Sequence, residues 1–527
     1  MDLKKEGESL CEAVEVMDSS LPQVLVATKE EINDPHFQTH HLLADLKNRT
    51  VSSGFITLGS QGIQFVLTLA STMALARLLT PSDFGLLAMV FTIMGFLRVF
   101  REAGLSTATV QREGITHAQV SNLFWINVAV SACITLLVAA AAPVVAWFYR
   151  EPRLIGITVA LSVTFLLAGL AVQHMALLNR QMRFKAIALI QVVSVLSGVL
   201  VGVGMAWFHY GYWSLVGLNV TTNMMTLLMT WSVCQWRPQS FTQGSETRSL
   251  INFGANLSAG SFVNSLARGL DGLLIGRFYG AVSVGLYSRA AALLNRPLEQ
   301  FSSPVEAVFI PALSRLQTQP ERYRRTFLRV YETIALTSFL FTGMFFALAR
   351  PVTLVVLGPK WEGAAIIFAG FTFMALQYPL GSCASWLLTS QGRGRESFVA
   401  SSVVSLVMAC SFIAGLPFGP AGVAIAASAS SLLIQLPIFY WLVGRHGPVR
   451  TKDLWICFLR HLPLWGVVCV TLWLIRSGLA KSSPIIQLAI CVPAGLLAGG
   501  AFILAYPPAR RVAMNLLSVL RELKSPA

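Results

Sequence analysis

Charge is scarce in this chain. Only 12% of the 527 residues are Asp, Glu, Lys or Arg, whereas 55% are hydrophobic and mean hydropathy is +0.65. A soluble domain carries about 25% charge, so lipid must do most of the solvating here. Paired cysteines are also lacking: the eight cysteines form no CxxC, and Cys133, Cys410, Cys469 and Cys491 sit inside apolar segments. That excludes a disulfide framework, and they read as small buried hydrophobes. A secretory leader is missing too, since residues 1–48 have no basic start followed by an apolar core. They form a polar, acidic tail. Its His36, His40 and His41 lack a clear fourth ligand, so no metal is expected there, and no cofactor elsewhere.

What the sequence does contain is apolar length. From Gly54 onward, runs of about 20 residues, each enough to cross a hydrocarbon core of about 30 Å, follow one another. They cover 54–76, 84–103, 120–149, 154–178, 185–207, 211–235, 249–276, 281–314, 329–349, 362–389, 397–416, 420–443, 457–475 and 484–506. The expectation is an all-α polytopic membrane protein with about fourteen transmembrane helices.

Net charge is +15, but residues 1–49 hold ten acids against five bases, which leaves +20 on the remainder. Those bases sit between apolar runs, so membrane lipids or an anionic lipid-linked molecule are the expected partners, and no nucleic acid. The loops after even-numbered runs hold 19 Lys and Arg, and those after odd-numbered runs hold 8. By the positive-inside rule the even loops and both termini are cytoplasmic.

The chain also repeats itself. At an offset of 200, Gly54, Arg77, Gly85 and Leu86 meet Gly254, Arg277, Gly285 and Leu286. At 208, Pro143 meets Pro351, and at 210 Leu177-Leu178-x-x-Gln181-x-Arg183 meets Leu387-Leu388-x-x-Gln391-x-Arg393. This pattern predicts two six-helix lobes, residues 50–240 and 241–445, related by a parallel pseudo-repeat. The acidic tail occupies 1–49, and two extra helices with a second tail occupy 446–527.

Polar residues inside the runs mark candidate sites. Thr57, Gln61, Gln64, Thr68 and Ser71 share one face of the first helix. Ser261, Asn264, Arg268 and Asp271 occupy the seventh. Arg289, Arg296, Glu299 and Glu306 fall within an arc of about 100° on the eighth. A lipid-facing charge at mid-membrane costs roughly 3 kcal/mol, so these charges face water, a ligand or one another. Interhelical hydrogen bonding for the polar stripes and an i,i+3 pairing of Arg296 with Glu299 stay open as structural alternatives. Pro297 and Pro304 predict a kink in the eighth helix. Arg98, Arg101 and Glu102 read as snorkelling at the interface. Gly198-x-x-x-Gly202 and Gly495-x-x-x-Gly499 read as packing motifs.

Six strings occur in order from the first run into the eighth: Leu75–Met89, Gly104–Arg112, Asn122–Asn127, Ala142–Tyr149, Ala176–Phe184 and Leu270–Ala290. Together they resemble the polysaccharide-transporter family, in particular its colanic-acid and teichuronic-acid exporter type of lipopolysaccharide-biosynthesis flippase. That family belongs to the multidrug/oligosaccharidyl-lipid/polysaccharide exporter superfamily. The resemblance implies two lobes around a cavity of alternating access. It also implies transfer of an undecaprenyl-diphosphate-linked oligosaccharide from the cytoplasmic to the outer leaflet; polysaccharide polymerase or glycosyltransferase partners stay open. The acidic tail departs from the family pattern, and the last five helices match it loosely.

The residues suit that reading: guanidinium groups bind diphosphate, and Gln, Asn, Ser and Thr match sugar hydroxyls. The expected substrate-binding residues are Gln61, Gln64, Asn264, Arg268, Asp271, Arg289, Arg296 and Glu299. The coupling ion stays open. Two rivals stand beside it. A multidrug/cation antiporter calls for an acid in the first-lobe cavity, which the first helix lacks. A membrane polymerase, ligase or glycosyltransferase calls for a sizeable outward loop with catalytic residues, but the outward loops are short and the first holds one acid, Asp83.

Overall fold

The computed structural model describes residues 46–101, 109–110, 115–241 and 247–514. The side chains of Asn264, Arg268 and Glu299 lie outside this description, as does the tail over 1–45. Among the described residues there is no strand. Six helices form the first lobe: α1 (Leu46–Leu78), α2 (Pro81–Arg101), α3 (His117–Tyr149), α4 (Leu154–Arg180), α5 (Phe184–Trp207) and α6 (Trp213–Val233). The second lobe holds α7 (Thr247–Ser314), α8 (Pro320–Ala347), the short α9 (Ala349–Val356), α10 (Glu362–Ser390), α11 (Gly394–Gly415), α12 (Gly419–Ser430) and α13 (Leu436–Gly444). Helices α14 (Thr451–Gly478) and α15 (Pro484–Ala505) follow.

Nine stretches among the described residues are long and apolar enough to cross a membrane, and one of them, Gly394–Gly444, contains two of the expected crossings. This is a multi-pass membrane protein. The 68 residues of α7 would extend roughly 100 Å as one straight helix, over three times the hydrocarbon core. The element is broken at Gly280, whose φ of 75° and ψ of −177° suit a residue without Cβ. The break therefore falls between the seventh and eighth expected crossings, and no non-helical dihedral marks Pro297 or Pro304.

The repeat appears in the contacts. The Leu-Leu-x-x-Gln-x-Arg stretch makes the same turn in both lobes, through Met182 (φ 53°) and Gly392 (φ 68°). The arginine that follows then reaches the end of its lobe's last helix. Arg393 Nη1 donates to the carbonyls of Val443 at 3.0 Å and His446 at 2.7 Å. Arg183 Nη1 approaches the carbonyl of Val233 at 3.5 Å. Val233 and Val443 are themselves 210 apart, so one register relates all these positions.

The lobes meet at the end formed by the loops after odd-numbered crossings. The last carbonyls of a helix have no partner within it, and those of α1 are satisfied from the second lobe. Trp361 Nε1 donates to Ala76 O at 2.9 Å, and Lys360 Nζ to Arg77 O at 3.3 Å. Arg77 Nη2 in turn donates to Val355 O at 3.2 Å. Below this, α2 presses against the second arm of α7. A Cβ on Gly85 would lie 1.7 Å from Ala281 O, and one on Gly285 would lie 1.9 Å from Pro81 O. Gly85 and Gly285 are 200 apart in sequence, as are Pro81 and Ala281, so the two contacts are equivalent under the repeat.

The two extra helices are fastened to the second lobe. Arg324 makes a bidentate pair with Asp453 at 2.7 and 3.0 Å, and Arg460 meets Glu332 at 2.7 Å. Both glycine motifs pack helices closely: Gly198 and Gly202 seat Thr222 and Leu218 of α6, and Gly499 seats Leu340 of α8.

Candidate functional site

Two polar cavities among the described residues adjoin each other at α7. The first, of about 570 Å³, runs between α1, α2, α5, α6 and both arms of α7. Helix α1 gives it Thr68, Ser71 and Thr72, and α6 gives it Asn219, Thr222 and Asn223. The amides of Asn219 and Asn223 bond back to carbonyls four residues earlier, at 2.8 and 2.9 Å, so each polar end is half satisfied by its own helix.

Arg289 and Arg296 supply the positive charge of this cavity. They are seven residues apart, two helical turns, so both project from one face of α7. The guanidinium carbon of Arg289 lies 4.9 Å from the centroid of the Phe84 ring, a cation–π contact that fixes its position. Its Nε is buried without a hydrogen-bond partner. Arg296 is exposed to the cavity space.

The second cavity, of about 430 Å³, lies among α7, α10, α11 and the helices around residue 431. It shares Asp271, Tyr287 and Ala291 with the first, so these residues lie at the boundary, or throat, between the two. Tyr287 donates its hydroxyl proton to Asp271 Oδ2 at 2.9 Å, and the Gly272 amide donates to Oδ1 at 2.7 Å. Phe371 holds the Tyr287 ring edge-on, with centroids 5.0 Å apart. The throat thus carries a carboxylate with two hydrogen bonds, built across the Gly280 break from both arms of α7.

Of the residues expected from sequence, Asp271, Arg289 and Arg296 come together around the first cavity. Asn264, Arg268 and Glu299 have side chains outside the described residues. Gln61 and Gln64 lie on α1 but line neither cavity. Gln64 Nε2 instead donates to Gln191 Oε1 of α5 at 3.1 Å, an interhelical bond. The cavity is faced further along the same helix, by Thr68, Ser71 and Thr72. Sequence reasoning missed Tyr287, the asparagines of α6 and the polar lining of the second cavity apart from Asp271. The i,i+4 spacing of Asn219 and Asn223 was a visible signal for the second of these.

A model of the family described as "polysaccharide biosynthesis protein" matches residues 74–366, more than half of the chain. The chain belongs to this family. Among its relatives in the family is the teichuronic acid biosynthesis protein TuaB of Bacillus subtilis, 25% identical over 72% of this chain and 78% of its own length. The lipopolysaccharide biosynthesis protein WzxC of Escherichia coli is 23% identical over 82% of this chain and 89% of its own. The succinoglycan biosynthesis transport protein ExoT of Rhizobium meliloti is 26% identical over 58% and 61%.

Among solved structures, the fold is similar to that of the lipid II flippase MurJ in an inward closed conformation. The TM-score is 0.68 at 15% identity, covering 86% of this chain and 98% of that one. It is also similar to an inward-facing MATE-family multidrug transporter, with a TM-score of 0.55 at 14% identity over 76% and 98%. These two solved structures therefore share the fold of this polysaccharide biosynthesis protein.

Proposed function

We propose that this chain carries an undecaprenyl-diphosphate-linked oligosaccharide across the cytoplasmic membrane by alternating access, for assembly of a surface polysaccharide or lipopolysaccharide. The observation that carries the reading is the first cavity: two arginines from one face of α7, one with an unpartnered buried Nε, line it in a member of a family of polysaccharide biosynthesis proteins. A diphosphate is the strongly anionic part of such a lipid, and guanidinium forks match its oxygens. The activity is transport, not catalysis, and polymerases and glycosyltransferases are its neighbours in the process.

Both termini face the cytoplasm in this reading, because the even loops carry the excess of Lys and Arg. The end where Trp361 caps α1 is then the outer one. With that end closed, the substrate enters from the cytoplasmic side or leaflet, where its charge meets Arg289 and Arg296. A cation antiporter calls for an acid in the first-lobe cavity. The one acid in that cavity's described lining, Asp271, comes from α7 and is held by Tyr287 and the Gly272 amide, and α1, α2, α5 and α6 contribute none.

The test is reconstitution of the purified chain in liposomes loaded with a lipid-linked oligosaccharide. Appearance of the sugar on the opposite leaflet, with and without proton or sodium gradients, is the expected result. No movement above protein-free liposomes under any gradient would reject the reading.

A further inference from the structure

The two cavities differ in chemistry. Arginine lines only the first; the described lining of the second has no Lys or Arg at all. Instead it carries neutral donors and acceptors, among them Gln377, Ser385, Ser401, Ser405, Ser431 and Gln435. Aromatic faces accompany them: Phe371, Phe412 and Phe439 line the same space. Hydroxyls and amides beside apolar ring faces are what a pyranose needs, since its edge is all hydroxyl and its face is largely C–H.

The backbone is bent out of its regular pattern at this wall. Residues Ser431–Gln435 form a π-helical turn between α12 and α13, in which the Leu436 N–H donates to Ser431 O. Pro437, lacking an N–H, cannot continue the α-helical ladder to Leu433, which gives the widened turn a local cause. Ser431 and Gln435, the two ends of that turn, are the two residues of it that line the cavity. Ser431 Oγ donates to Gln377 Oε1 at 2.5 Å, which leaves the Gln377 amide nitrogen to donate into the space. Gln435 Nε2 is held by Ser430 Oγ at 3.1 Å.

We infer that the second-lobe cavity is the glycan subsite of the transporter, and that the substrate is divided at the throat. The diphosphate stays with Arg289 and Arg296, and the uncharged sugars pass Asp271 and Tyr287 into the second lobe. The Asp271 carboxylate lies on the boundary between the two spaces, where it repels phosphate and accepts from sugar hydroxyls. Gln377 and Gln435 then discriminate among glycans without taking part in holding the lipid diphosphate. This inference rests on the transport reading above and adds a division of labour to it.

The test compares two probes against the full chain in nanodiscs. One is undecaprenyl diphosphate, which has no sugar. The other is the undecaprenyl-diphosphate-linked oligosaccharide that accumulates in the host when the gene for this chain is deleted. Gln377→Leu and Gln435→Leu should each weaken binding of the oligosaccharide-bearing lipid about tenfold, the loss of one or two hydrogen bonds, and leave undecaprenyl diphosphate binding unchanged. Unchanged binding of the bare lipid also reports that the variants are folded. Ser405→Ala, a smaller change, should act in the same direction by a lesser factor. Equal weakening of both probes in the glutamine variants and in Ser405→Ala, or no change for either, overturns the division. Failure of the unaltered chain to bind either probe overturns the transport reading and this inference with it, a result distinct from the other two.

Discussion

A charge facing lipid at mid-membrane costs roughly 3 kcal/mol, which is why Arg289 and Arg296 were legible in a sequence so poor in charge. Burial depth and helical spacing placed them on one face, and they line one cavity. Lysine offers a single ammonium point where arginine offers a planar fork. Arg296→Lys should therefore keep a measurable part of transport, while Arg296→Ala should lower it tenfold or more, the scale of a lost charge-assisted hydrogen bond. Transport in liposomes at matched protein levels measures both, and full activity in Arg296→Ala would reject the role. Neutral residues were harder to read. Gln64 shares its helical face with Thr68 and Ser71, but a face fixes direction and not neighbour, and Gln64 meets Gln191 of α5. Gln377 and Gln435 gave no signal, because a glutamine within an apolar run is as readily an interhelical bond as a cavity wall.

At the scale of helices, the sequence paired Gly85 with Gly285 through an offset of 200 without revealing that the two positions touch the same seam. They do so because a pseudo-twofold axis brings equivalent residues face to face across it. Each backbone lies so close that an added Cβ would fall within 2 Å of a carbonyl oxygen of the other helix, Ala281 for Gly85 and Pro81 for Gly285. Backbone cannot yield as a side-chain end can, so Gly85→Ala or Gly285→Ala must separate α2 from the second arm of α7. A single cysteine at Thr92, which lines the first cavity, should then react faster with an impermeant maleimide added from the side of the odd loops. An unchanged rate in both variants would show that this contact does not close the cavity. Element boundaries were less legible than elements. Helix α8 begins at Pro320, ahead of the expected 329, because Arg322, Arg324 and Arg325 are good helix formers that hydropathy discounts.

For the whole molecule, the two-lobe plan was legible because duplication leaves a register in the sequence. The throat was not, since it joins Asp271 and Tyr287 from two arms of α7 folded about Gly280. The alternation of loops has a structural counterpart. Loops after odd crossings contact one another, as in Trp361 with Ala76 and Tyr279 with Leu416 O at 2.6 Å. Those after even crossings do likewise at the other end, as in Gln391 with Tyr323 at 3.2 Å and Arg324 with Asp453. Contacts alone do not say which end is cytoplasmic; the proposed orientation rests on the ratio of 19 to 8 Lys and Arg, since basic loops tend to be retained inside. Ser482, between α14 and α15, belongs to the odd end, and Gln319, just before α8, to the even end. With native cysteines replaced, a cysteine at Ser482 should therefore be labelled by an impermeant reagent in intact cells. One at Gln319, which is exposed, should react only after the membrane is opened. The reverse pattern would invert the molecule, turn the Trp361 closure toward the cytoplasm, and leave Arg289 and Arg296 closed off from the leaflet in which the lipid-linked sugar is made.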